Sequence, residues 1–195
     1  MSRETASPYG PVAIGLHWAI AALLLGQIAL GFSMERVRSM ALQFELIQWH
    51  KSFGFLILAL AVLRLIWRAV AGVAPSAPGL SAVERWAARA VQSALLALTI
   101  VVPLAGWALA STSTLQIPSF AFDLVVVPHL PLAPSTEAEA FWRNAHGVLA
   151  YATLVLALGH AGAALRHHFF LRDGVLARML PGLAGPIDGR MKDDA

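Results

Sequence analysis

Long apolar runs separated by short polar stretches dominate this chain. Crossing the hydrocarbon core of a bilayer takes about 20 helical residues, and four of the runs reach that length. The predicted spans are residues 12–34, 46–70, 86–110 and 142–170. The pattern therefore predicts an all-α fold, an integral membrane bundle of four transmembrane helices.

The connections between the predicted spans differ in length and character. The first two are short, whereas residues 111–140 form a long stretch rich in proline and apolar residues that is too broken for a fifth span. We expect this segment to be a cap loop over one face of the bundle. No internal repeat stands out, so residues 1–195 are interpreted as a single membrane domain with a polar tail at 183–195.

Composition supports the bilayer as the solvent and restricts the chemistry. The chain is 58% hydrophobic and 13% charged, whereas soluble domains are about 25% charged. The 14 Lys and Arg residues are scattered at the ends of apolar runs, which argues against a nucleic-acid partner. Because the chain has no cysteine, disulfides, thiolate-bound clusters and c-type haem attachment are excluded. A metal would need His, Met or carboxylate ligands.

The basic residues predict the orientation in the membrane. Ten lie on the side that holds both termini and the turn between the second and third spans, and four lie on the other side. The positive-inside rule then places both termini in the cytoplasm and the 111–140 loop in the periplasm. The larger group is Arg3, Arg64, Arg68, Arg85, Arg89, Arg166, Arg172, Arg178, Arg190 and Lys192; the smaller is Arg36, Arg38, Lys51 and Arg143.

Four of the seven histidines fall into two pairs when each is placed by its depth. His17 lies six residues after Pro11, about 9 Å into the first span, and His160 lies at a similar depth in the fourth. His50 and His146 enter from the opposite side, in the first turns of their spans. His146 and His160 are 14 residues apart, about 21 Å of rise, and share one helix face.

Such pairs suit haem, because a bis-histidine haem needs two imidazoles at one depth on opposite sides of a flat macrocycle. The bundle can thus hold two b-type haems stacked across the bilayer, on His17 with His160 and on His50 with His146. Nearby small residues would let a planar cofactor approach the backbone, although they also permit tight helix packing without one. These are Gly15, Gly54, Gly147, Gly159 and Gly162.

Simpler interpretations remain open for individual residues. A lone histidine at a helix end is usually an interfacial hydrogen-bonding group, and a protein that binds zinc or protons is an alternative to a haem protein. His129 is expected at the surface, and His167 and His168 among the headgroups. Arg64, Lys51 and Arg143 are candidates for contacts with haem propionates, but the positive-inside rule accounts for such residues without haem.

Several motifs together resemble the bacterial cytochrome b561 family, which comprises small four-helix dihaem membrane cytochromes. They are LHW around His17, WHKSFGFLILALAVLRLIWR around His50, VPLAGW in the third span, and NAHGVLAYATLVLALGHAGAALRHHFFLRDGVLARMLPG around His146 and His160. The family is similar to the cytochrome b subunits of nickel hydrogenases and formate dehydrogenases. The resemblance covers nearly the whole chain and implies that the four matching histidines are the axial ligands, in the same two pairs.

The resemblance also implies an oxidoreductase function in the respiratory chain of the inner membrane, with electrons exchanged with quinone. Some members look like superoxide oxidases, which pass an electron from periplasmic superoxide to ubiquinone. A basic rim would steer that anion, and the residues available for it are Lys51, Arg36, Arg38 and Arg143. The alternative is a haem-bearing membrane anchor that relays electrons for a soluble dehydrogenase or hydrogenase. The sequence assigns neither catalytic residues nor quinone contacts.

Overall fold

The computed structural model describes residues 9–180. The predicted tail at 183–195, and the basic residues Arg3, Arg190 and Lys192, lie outside the described residues. Within the described part, four long helices account for most of the chain: α1 Pro11–Met34, α2 Met40–Ala71, α3 Ala82–Thr112 and α4 Thr136–Arg166. All four are long and apolar enough to cross a membrane, which confirms the predicted fold class.

Three of the helices begin several residues before the predicted spans. Serine N-caps explain this difference, because each accepts a hydrogen bond from a backbone N–H of the first turn. Ser39 caps α2, Ser135 caps α4, and Ser81 caps α3 in a capping box with Glu84. These polar first turns extend the helices beyond the apolar windows that defined the spans.

The fourth helix changes form near its end. Its α-helical part stops at Arg166, before the predicted boundary at residue 170, and a π-helical turn at His167–Leu171 continues it. Arg172 then takes a left-handed conformation with φ 51°, and the chain turns back under the bundle. Trp18 Nε1 donates a hydrogen bond to the Met179 carbonyl at 2.8 Å, which fixes this terminal segment against α1.

Each helix packs mainly on the helix that precedes or follows it in the sequence. Helix α1 packs on α2, α2 on α3, and α3 on α4, whereas neither α1 nor α2 makes an extended backbone contact with α4. Small side chains are prominent among the buried ones, including Ala61, Ala105, Ala108 and Thr153, as expected where membrane helices approach closely. The bundle is therefore close-packed on one side of α4 and more open on the side that faces α1 and α2.

In the structure the cap loop is shorter than the predicted range of 111–140, and it contains two strands that were not predicted from the sequence. The connection runs over residues 113–135, and within it β1 Ser119–Ala121 pairs antiparallel with β2 Val125–Val127. The hairpin packs on α2, where the Ser52 hydroxyl donates to the Phe120 carbonyl at 2.8 Å and accepts from the Phe122 N–H at 3.0 Å. It covers the end of the bundle that contains His50.

Two histidine pairs in the bundle

The first histidine pair joins α1 to α4. The ring centroids of His17 and His160 are 6.2 Å apart, and the ring planes are inclined at 77°. Both side chains are half-buried. The Arg64 guanidinium reaches this pair from α2 and donates to His17 Nδ1 at 3.3 Å. The structure thus brings together the two residues that the sequence paired at this depth, with a cation beside them.

The second pair joins α2 to α4 near the other end of the bundle. The centroids of His50 and His146 are 6.1 Å apart, with the ring planes at 83°. His146 Nδ1 lies 3.0 Å from the Val102 carbonyl of α3, an acceptor, so Nδ1 carries the hydrogen and Nε2 keeps its lone pair. A histidine in this state can ligate a metal through Nε2.

Gly106 is what allows α3 to approach His146 so closely. A Cβ at this position would lie 3.1 Å from the Cε1 atom and 3.2 Å from the Nδ1 atom of the ring. Any larger residue would displace the imidazole from the Val102 carbonyl. The VPLAGW motif therefore supplies both the acceptor and the space for this ring.

The separations within each pair fit two imidazoles on opposite sides of one iron. A ligating nitrogen lies about 2 Å from its metal and the ring centre about 1 Å farther back, so such rings have centroids about 6 Å apart. Four of the small residues that flank the paired histidines have open space beside them, because an added Cβ would meet nothing within 4 Å. These are Gly15, Gly147, Gly159 and Gly162.

The same region does not suit a bare metal ion. Within residues 9–180, no group of three or more His, Asp or Glu side chains is arranged to hold one. Each histidine pair offers only two ligands, whereas a zinc site takes three or four from the protein. Two opposed imidazoles match haem, in which the porphyrin supplies the remaining four nitrogens.

The three candidates for propionate contacts have different surroundings. Arg64 lies at the first pair, as described above. Arg143 is 65% exposed and forms an ion pair with Glu139 at 2.6 Å, one turn earlier on α4. Lys51 follows His50 in α2 and is half-buried. Only Arg64 therefore has a described contact with one of the four paired histidines.

The remaining histidines make local contacts. The His167 side chain is 14% exposed and its Nδ1 lies 2.5 Å from an Asp173 carboxylate oxygen. His129 Nδ1 lies 3.2 Å from Gln116 Oε1 within the loop. His168 contacts the ring of Phe169.

One polar residue near the second pair was missed by the sequence reasoning. Gln27 lies inside α1 and donates from Nε2 to the His50 carbonyl at 2.8 Å. The signal that could have found it is a lone amide in the middle of an uncharged span.

Comparison with known proteins decides the family. The model of the prokaryotic cytochrome b561 family matches residues 8–182. The chain belongs to the prokaryotic cytochrome b561 family. It is 31% identical over 184 residues to cytochrome b561 homolog 2 of Escherichia coli, covering 91% of this chain and 93% of that protein. It is 29% identical over 177 residues to cytochrome b562 of Cereibacter sphaeroides, covering 88% and 94%.

Membership of the cytochrome b561 family confirms the resemblance seen in the motifs. Its members are membrane haem proteins, so the chain is a multi-pass bacterial membrane protein that carries b-type haem and transfers electrons. A shorter similarity, 40% over 50 residues, links it to cytochrome b561 homolog 1 of E. coli and covers 26% of this chain and 28% of that one.

Proposed function

We propose that this cytochrome b561 protein binds two b-type haems and carries electrons between the two faces of the membrane. His17 and His160 would hold one haem, and His50 and His146 the other. The observation that carries the proposal is the pair of centroid separations, 6.2 Å and 6.1 Å, at two levels of one helix. Because His146 and His160 are 14 residues apart, about 21 Å of rise separates the two levels.

When bound, each haem would supply a one-electron couple, and the two imidazoles of its pair would be the protein's ligands to the iron. The protein's task is to hold the imidazoles in the state that can ligate. For His146 the Val102 carbonyl does this, by accepting the Nδ1 hydrogen. For His17 the Arg64 contact has the opposite sense, since a guanidinium only donates and Nδ1 must accept. Ligation by His17 through Nε2 would therefore release Arg64, which we assign to a haem propionate.

We further propose that electrons enter or leave at the haem edges and reach the quinone pool, with both termini cytoplasmic. Superoxide is the periplasmic donor that the basic rim near His50 would suit. The rim is weaker than its four charges suggest, because Arg143 is paired with Glu139 at 2.6 Å. Lys51, Arg36 and Arg38 remain as its main cations.

The proposal is tested by quantifying haem against purified protein and recording reduced-minus-oxidised spectra. Two haems per chain are expected, and a ratio of one or zero would contradict the two-haem assignment. Superoxide and a soluble quinone analogue are then added to the same sample. Quinone reduction above the background of spontaneous dismutation supports the superoxide:quinone reaction, whereas reduction at background level removes superoxide as the donor.

The hairpin supports a second candidate, a haem-bearing anchor for a soluble redox protein. Its tip exposes apolar side chains at the end of the bundle that contains His50: Leu124 is 85%, Val125 61% and Val126 58% exposed. A periplasmic dehydrogenase could dock there. Replacing Leu124 and Val126 with Ser would slow reduction of the haem by such a partner and leave reduction by dithionite unchanged. A variant that the partner reduces as fast as it reduces wild type would argue against this role.

A further inference from the structure

Gln27 is an amide inside a membrane-spanning helix, where an unsatisfied polar group is costly. Its Nε2 donates to the His50 carbonyl at 2.8 Å, which joins α1 to α2 beside the second histidine pair. Gly54, one turn after His50, makes room for this contact, because a Cβ there would lie 3.2 Å from the amide nitrogen. The Gln27 side chain thus lies between the His50 carbonyl, to which it donates, and the backbone of Gly54.

Two buried polar atoms at this contact have no hydrogen-bond partner in the described part of the chain. One is Gln27 Oε1, an acceptor, and the other is His50 Nδ1. They are complementary if Nδ1 carries a hydrogen, and they belong to residues that already bond each other through other atoms. Buried atoms of this kind normally find a partner.

The neighbouring turn of α1 also lies close to the imidazole of His50. Gly31 lies four residues after Gln27, on the same face of α1, and a Cβ there would lie 3.9 Å from His50 Cε1. Cε1 lies between Nδ1 and Nε2 in the ring. The His50 imidazole therefore lies against the helix face that carries Gln27.

A metal-ligating histidine normally donates its other ring N–H to an acceptor, which fixes the tautomer and raises the basicity of the ligand. His146 has the Val102 carbonyl for this purpose, and His50 has no comparable acceptor in its described contacts. We infer that Gln27 is the positioning residue of His50, with its amide oxygen accepting the Nδ1 hydrogen. This inference rests on the proposed ligation of iron by His50.

The inference predicts opposite shifts for two substitutions. Gln27→Leu removes the acceptor, so the His50 imidazole donates less electron density to the iron. The midpoint potential of the haem held by His50 and His146 should therefore rise. Gln27→Glu keeps an acceptor, strengthens it and lowers the same potential. Substituting an outer-shell partner typically changes metal affinity or activity about 10- to 100-fold. If the preference of the site for the oxidised over the reduced iron changes tenfold, the midpoint potential shifts by about 59 mV.

Gln43→Leu is the matched control. Gln43 also donates an amide hydrogen across the contact between α1 and α2, to the Met34 carbonyl at 3.0 Å, but it lies two turns before His50. It should leave both potentials unchanged. If Gln27→Leu destabilises the bundle, Gln27→Met retains the unbranched shape without the acceptor and should give the same upward shift.

The test is a potentiometric titration of the purified haem-loaded protein and its variants, with electron paramagnetic resonance of the oxidised forms. Shifts confined to one of the two haems, and opposite in sign for Leu and Glu, support the inference. Unchanged potentials, or equal shifts in Gln27→Leu and Gln43→Leu, would overturn it. A wild-type protein without a haem on His50 would instead refute the proposed function, so the two failures are distinguishable.

Discussion

Gly106 sets how closely α3 can approach the His146 ring. Carbon contacts are ordinarily about 3.5–4.0 Å long, whereas an added Cβ would lie 3.1 Å from Cε1 of His146. In Gly106→Ala the ring must therefore move by a few tenths of an ångström. That movement disturbs the 3.0 Å contact between Nδ1 and the Val102 carbonyl.

The expected cost combines three effects. Overpacking costs about 1–3 kcal/mol, weakening one hydrogen bond about 0.5–1.5 kcal/mol, and replacing glycine within a helix returns about 0.5–1 kcal/mol. The net of about 0.5–4 kcal/mol, taken as lost haem binding, corresponds to haem held at this pair about 2- to 700-fold more weakly. In Gly106→Val two further methyl groups cannot be relieved by so small a shift, so we expect this haem to be lost.

The assay is haem content per purified chain, followed through dilution in detergent. Gly106→Val should retain one haem, held at His17 and His160, and Gly106→Ala should lose its second haem faster than wild type. Gly26→Ala is the control, because an added Cβ there meets nothing within 4 Å. If Gly106→Val keeps two haems and an unchanged spectrum, the close packing on His146 does not position a ligand.

Two further predictions concern other parts of the molecule. Arg64→Gln removes a positive charge beside His17 and should lower the midpoint potential of the haem held by His17 and His160, whereas Arg64→Lys should stay closer to wild type. A potentiometric titration measures both potentials, and a shift of the His50–His146 haem instead would contradict the assignment. Ser52→Ala removes two hydrogen bonds to the hairpin, a loss of about 1–3 kcal/mol, and should speed amide exchange over 119–127; unchanged exchange would show that other contacts dock the hairpin.

Much of the bundle could be predicted because local patterns determine it. Apolar runs of membrane length fix the four spans, and alternating helix direction fixes the end at which each histidine enters. With a rise of 1.5 Å per residue, depth alone brings His17 to the level of His160. The helix starts at Ser39, Ser81 and Ser135 were also readable as capping signals. They were missed because hydropathy marks the membrane span and not the end of the helix.

The remaining features depend on contacts between distant residues. The strands of the hairpin are three residues long and are held by Ser52 on α2, so the loop carries too short a local pattern to predict them. The pairing of His167 with Asp173 requires the π-helical turn and the left-handed Arg172, neither of which has a periodic signal. Gln27 acquires a role only once α1 is packed on α2.

The proposed function depends on two haems, each held by one of two histidine pairs that share α4. The most direct measurement is the reduced-minus-oxidised spectrum of four single variants, His17→Ala, His160→Ala, His50→Ala and His146→Ala. We expect the first two variants to lose one spectral component and the last two to lose the other. Loss of the same component in His146→Ala and His160→Ala, with the second component intact in both, would contradict it.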